Sequence, residues 1–238
     1  MKLAAFSASA VLLLIVSARA DLTIVQKVEG PMPMSEMTMK IKGDKARIDA
    51  GPQMTSIMDA KTGEAVTLMH EQKMLMRMSA EQAKAAAAAV AESMPGQEGA
   101  APVKITPSGK KETINGFETE EYLYETPAMK ASYWIAKSYP NADSIMKQMQ
   151  ALNSQAMTTG PAGIPDFRHF PGLPVRTNVS MGGQQFVTTV TSVKHDPLND
   201  ADFTVPSGYQ EMKMPDISSM MGGKPDAAAK PSASPKKK

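Results

Sequence analysis

Methionine is the side chain whose type and spacing could do chemistry in this sequence. Residues 31–40 read PMPMSEMTMK, which places Met32, Met34, Met37 and Met39 within ten positions, and residues 73–79 read KMLMRMS. The whole chain holds 21 Met against 6 Phe and 1 Trp. A thioether is a soft ligand suited to Cu(I), and the M-x-M pairs at 32 and 34, 37 and 39, 74 and 76, and 76 and 78 would present several on one strand face. The same flexible, polarizable side chain also fills irregular interiors and repacks around varied apolar ligands. Alternation of these methionines with Lys, Thr and Arg is what a half-buried strand requires in any case, and no His or Cys is clustered with them. The residues are read as an apolar ligand groove formed by Met37, Met39, Ile41, Met74, Met76 and Met78. A Cu(I)-binding protein, and an envelope structural or interaction module with a solid core and an envelope protein partner, are the alternatives.

Other reactive side chains show less organisation. Cys is 0, so thiol catalysis is out of reach. There is no G-x-S-x-G nucleophile elbow, and His70, His169 and His195 are far apart, without the spacing of a zinc site. Glu118 and Glu120 would share a strand face with Tyr122 and Tyr124, and a general acid and base pair could be built there. Acidic residues alternating along a strand are more often simply its solvent side. The expectation is a protein that is not an enzyme, with no metal and no cofactor.

The first twenty residues, MKLAAFSASAVLLLIVSARA, carry one Lys, an apolar run, and small residues ending Ala18-Arg19-Ala20. This is the pattern of a secretory signal peptide cleaved before Asp21, so the chain is expected to be exported, to the periplasm or beyond. No later segment has the length of a transmembrane anchor. The formal net charge of +2 includes Lys2 and Arg19 of that leader, and the tail from 222 onward holds five lysines against Asp226. The remaining body is mildly acidic and has no footprint for nucleic acid.

The methionines need elements to position them. Over 36–42, Met37, Met39 and Ile41 alternate with Glu36, Thr38, Lys40 and Lys42, a strand with one face buried and one wet. Gly43-Asp44, Gly51-Pro52 and 61–64 are turns that predict further strands at 45–50, 54–60, 65–70 and 73–78. Ser79 to Gln82 predicts a capping box that opens a helix over 79–94. Asn115-Gly116 is the strongest hairpin signal, joining 110–114 to 117–125. A strand at 129–137, an amphipathic helix over 141–156, a Gly and Pro loop over 158–174, and a hairpin of 174–181 with 184–195 follow. After Phe203 the pattern is lost, and the Ala, Pro, Ser and Lys tail is expected to be disordered.

Several phrases carry a resemblance. MKIKGDKARIDAGPQMTSIMDAKTGEAVTLMHEQKMLMRMS, NGFETEEYLYE, SYWIAKS and DFTVPSGYQEM together resemble an exported bacterial family of unknown function, itself similar to the periplasmic lipoprotein carriers (LolA/LolB-like). The resemblance covers nearly the whole mature domain. It implies a mainly β (α+β) fold: a strongly curved antiparallel sheet, an incomplete barrel, with covering helices over a hydrophobic cavity. It implies an apolar cargo such as a lipid or acyl chain. It further implies a lid contact for Arg47, tying the sheet to its covering helices, and in such a curved sheet Trp134 would line the cavity. The domain organisation is a signal peptide at 1–20, a half-barrel domain at 21–215 and a tail at 216–238.

Overall fold

Short runs of alternating side chains, each stopped by a turn, leave this chain little choice but to pair neighbouring strands. The computed structural model describes residues 21–31, 34–85, 105–125, 129–153 and 170–212. The strands are β1 (Leu22–Glu29), β2 (Glu36–Lys42), β3 (Lys45–Ala50), β4 (Met54–Asp59), β5 (Glu64–Met69), β6 (Met74–Met78), β7 (Thr106–Ile114), β8 (Phe117–Glu125), β9 (Met129–Ala136), β10 (Leu173–Met181), β11 (Gln184–Lys194) and β12 (Gln210–Glu211). Helix α1 (Ala142–Asn153) lies between β9 and β10, and a 3-10 helix (Asp200–Phe203) precedes β12. Among the described residues the strands form one sheet in the order β12-β6-β5-β4-β3-β2-β1-β11-β10-β9-β8-β7. Its two ends, β12 and β7, do not pair with each other, so the barrel is incomplete.

The turns behave as their residues dictate. Asn115 and Gly116 have φ of 50° and 83°, the two successive positive values of a type I′ hairpin that matches strand twist. Curvature shows in what that hairpin reaches. The β7 and β10 strands are three places apart, about 14 Å in a flat sheet. Yet Arg176 Nη1 of β10 donates to both carboxylate oxygens of Glu112 of β7 at 3.0 Å. Asn115 Nδ2 likewise donates to the Val190 carbonyl of β11 at 2.6 Å.

The apolar residues separate into two clusters. The larger gathers Leu22, Ile24, Ile41, Ala46 and Met58 with Tyr122, Tyr133, Ile135 and Val190, and α1 contributes Ala142, Ile145 and Met146 to it. The smaller joins Ile57, Val66, Leu68 and Leu75 to Phe203, with Leu198, Val205 and Tyr209 at its margin. Ile57 and Met58 are consecutive, so the two clusters take opposite faces of β4.

The C-terminal segment stays in the fold although its alternation is lost after Phe203: residues 198–212 strap the second face and return to the sheet. Gln210 N–H donates to the Lys73 carbonyl at 2.9 Å and Met212 N–H to the Leu75 carbonyl at 2.8 Å, which makes β12 a parallel partner of β6. Two residues of strand give no period to read. At the other covering element, Ser79 and Gln82 form the reciprocal capping box, Ser79 N–H to Gln82 Oε1 at 2.9 Å and Gln82 N–H to Ser79 Oγ at 3.2 Å. Helix follows over 80–85. The expected remainder of that helix, and the loop holding Phe167 and His169, lie outside the described residues.

Candidate functional site

Three cross-strand rows organise one face of β2–β6. In the first, Met37, Ala50, Met54, Met69 and Met74 stand directly opposite one another from strand to strand. In the second, Met39, Ile48, Ser56, Thr67 and Met76 do so, and in the third Ile41, Ala46, Met58, Ala65 and Met78. Residues opposed across a ladder share a face, so the two methionine clusters of the sequence meet on one surface about 19 Å wide, four strand spacings.

Exposure is graded across it. The third row is core at its inner end, with Ile41 at 1% and Met58 at 7% exposure. Met37, Met39, Met74, Met76 and Met78 are half-buried, and Met54 in the first row is 39% exposed. Of the expected groove residues, Ile41 is therefore interior and the five methionines form the accessible surface. Met54, Met58 and Met69 were missed because each stands apart from the M-x-M pairs; strand register alone recruits them. Ser56 Oγ and Thr67 Oγ1, 3.3 Å apart, set one polar pair in the middle row.

Trp134 is not with them. It is in register with Glu121 and Arg176 and alternates with Tyr133 and Ile135, whose positions align with the methionine face. It is half-buried against the larger cluster. Arg47 also lies on the opposite face, in register with Ile57. It donates from Nη1 to the Asp202 carbonyl at 2.9 Å and from Nε to both Asp49 carboxylate oxygens at 2.9 Å. Arg47 thus ties the sheet to the 3-10 helix of the C-terminal strap; most of the covering helix expected over 79–94 lies outside the described residues. Its neighbours do the same, with Lys40 to the Asp202 carboxylate at 3.4 Å and Lys42 to the Leu198 carbonyl at 2.7 Å.

Below Arg47 a polar chain runs inward. Thr55 Oγ1 donates to Asp49 Oδ1 at 2.6 Å and meets His70 Nε2 at 2.9 Å, while His70 Nδ1 meets the Tyr209 hydroxyl. Burial pushes the Asp49 carboxyl up, but hydrogen bonds from Arg47 and Thr55 outweigh it and hold it below its ordinary value. The chain fastens Tyr209 of the strap to β3, β4 and the β5–β6 turn.

The acidic strand is also engaged. The Lys137 ammonium, 2.6 Å from Glu120, holds that carboxyl below its usual range. Burial raises Glu121, yet Ser108 at 2.8 Å and Lys110 at 3.3 Å bring it below the ordinary value. Both are held as anions, in ion pairs. Glu121 borders a cleft of ≈ 450 Å³ between β8 and β11, with Leu123, Ser132, Asn178 and Phe186. A second cleft of ≈ 480 Å³ is walled by Glu64, Arg77, Ser79, Gln82 and Glu211. The methionine rows border neither; they are a face. No group of three His, Cys, Asp or Glu side chains converges among the described residues, and no helix among them is long and apolar enough to cross a membrane.

The family model for the domain of unknown function DUF4412 matches residues 22–209, from the first residue of β1 to the tyrosine that locks the strap. The chain belongs to the DUF4412 family. No curated protein matches it. Among solved structures this DUF4412 domain is similar to PNGF-II at 12% identity and a TM-score of 0.40, over 81% of this chain and only 31% of that one. It is similar to the Mycobacterium tuberculosis lipoprotein LppX at 11% identity and 0.38, over 76% of this chain and 88% of that one. A LolA superfamily protein from Nitrosomonas europaea is similar at 12% and 0.28, over 78% and 89%.

Proposed function

We propose that this chain is an exported, non-catalytic binding protein that holds an apolar molecule, a lipid or acyl chain, against the methionine rows of β2–β6. The observation that supports the reading is the assembly, by register, of methionines from four strands onto one half-exposed face. The opposite face of the same strands is sealed by the strap. A protein with methionine as mere filler has no need to leave such a row open while closing the other side with Phe203. The working domain is 21–215, released from the leader at 1–20 and followed by the tail at 216–238.

The energetics set the size of the occupant. Each buried methylene contributes about 0.8 kcal/mol, and association costs at least roughly 4 kcal/mol. About fifteen buried methylenes then leave roughly 8 kcal/mol, which is micromolar binding. The ligand is accordingly a long acyl chain. The Ser56 and Thr67 hydroxyls supply hydrogen-bonding groups on the same face, and flexible thioethers adapt to a chain of variable shape.

The test is titration of the mature protein with a fluorescent long-chain fatty acid. Binding weakened about tenfold or more by Met76→Asp, 1.4 kcal/mol or above, is the expected result. Equal affinity in the variant and the parent overturns the reading.

A further inference from the structure

We propose that Met54, Met69 and Met74 form a binding site for a soft monovalent cation, Cu(I). The M-x-M run of β6 does not provide one. Met76 faces Thr67 and Met78 faces Ala65 across the ladder, so neither has a thioether directly opposite it, and Met76 reaches Met69 only along the longer diagonal. The first row is different. Met54 pairs with Met69, and Met69 pairs with Met74, which places three thioethers side by side on three consecutive strands. Opposed β-carbons are about 4.5–5.5 Å apart. Each sulfur stands two bonds beyond its β-carbon, so the outer two converge over Met69 by rotation of flexible side chains alone.

The frame under the three residues is closely fixed. His70 N–H donates to the Gln53 carbonyl at 2.9 Å and Lys73 N–H to the His70 carbonyl at 3.3 Å. These bonds join the residue before Met54 to the turn between Met69 and Met74. The strap adds Gln210 N–H on the Lys73 carbonyl at 2.9 Å. Access is open, because Met54 is 39% exposed at the rim and its two partners are half-buried. Three neutral sulfurs match Cu(I), and they disfavour Zn²⁺, Mg²⁺ and Ca²⁺, which need nitrogen, oxygen or charged ligands.

This site goes beyond acyl-chain binding and fails separately from it. The experiment uses the full mature chain under anaerobic conditions, with Cu(I) kept reduced by ascorbate and a chromogenic Cu(I) chelator as competitor. A single equivalent binds. Met54→Leu, Met69→Leu and Met74→Leu each weaken it by about tenfold or more, or 1.4 kcal/mol, and the triple variant abolishes it. The Met76→Leu, Met78→Leu pair leaves it unchanged. Leucine keeps the apolar volume, and a circular dichroism spectrum and a urea midpoint close to the parent's report that the triple variant is folded. In the unsubstituted protein, Ag(I) shifts the ε-methyl NMR signals of Met54, Met69 and Met74 before those of other methionines. Absence of Cu(I) binding, retention of it in the triple variant, or first shifts at other methionines overturns the proposal.

Discussion

Replacing Phe203 with Ala tests the packing that leaves the methionine face free. Phe203 is 5% exposed and is the strap's buried contribution to the smaller cluster, against Ile57, Val66, Leu68 and Leu75. A buried aromatic covers about 150–250 Å², worth roughly 4–6 kcal/mol at about 25 cal/mol per Å². Measured truncations of this kind cost about 3–5 kcal/mol. Taking about 4 kcal/mol and a urea slope near 2 kcal/mol per molar, the unfolding midpoint falls by about 2 M. That is a large share of the roughly 5–15 kcal/mol total stability of a domain. The assay is equilibrium urea unfolding followed by Trp134 fluorescence, with Met54→Ala as the contrast, since its 39% exposed side chain contributes about 1 kcal/mol or less. Fatty-acid affinity without denaturant stays as in the parent, because no atom of the binding face is removed. A Phe203→Ala midpoint shift below about 0.5 M would refute the strap as a structural element.

Asn115→Ala removes both a residue suited to φ of 50° and the 2.6 Å bond to the Val190 carbonyl; about 1–3 kcal/mol of stability is lost in urea unfolding. Asp49 has a folded pKa depressed below 3.8 by Arg47 and Thr55 against burial. Its stabilisation is therefore complete above that unfolded value and disappears as pH falls through the folded one. Asp49→Asn flattens that acid limb of the stability profile and costs stability at neutral pH. For the binding face, Met39→Asp places a charge beside Ile48 in the middle row and weakens fatty-acid affinity about tenfold or more by fluorescence titration, 1.4 kcal/mol or above.

Much of the fold could be read from local pattern. Met37, Met39 and Ile41 share a face as their alternation requires, although Thr38 and Lys40 between them are half-buried rather than wet, Lys40 against Asp202 of the strap; Asn115-Gly116 forms the expected type I′ turn, and Ser79 and Gln82 cap reciprocally. Helix α1 buries Ile145 and Met146 as its periodicity required. The rest depends on which strands become neighbours. Met54 and Met69 join Met74 only because β4, β5 and β6 pair in one register. Trp134 is expected in the cavity by residue type and resemblance, yet strand parity across four further strand pairings places it away from the methionines. The β12 strand is two residues long and is held by main-chain bonds to β6, so its side chains carry no signal.

Native mass spectrometry of the mature protein, purified gently from its own compartment, tests the central claim most directly. The account predicts an added mass of a lipid or long acyl chain that disappears on solvent extraction and returns when a long-chain fatty acid is supplied. A bare protein mass both as purified and after that supply would contradict it.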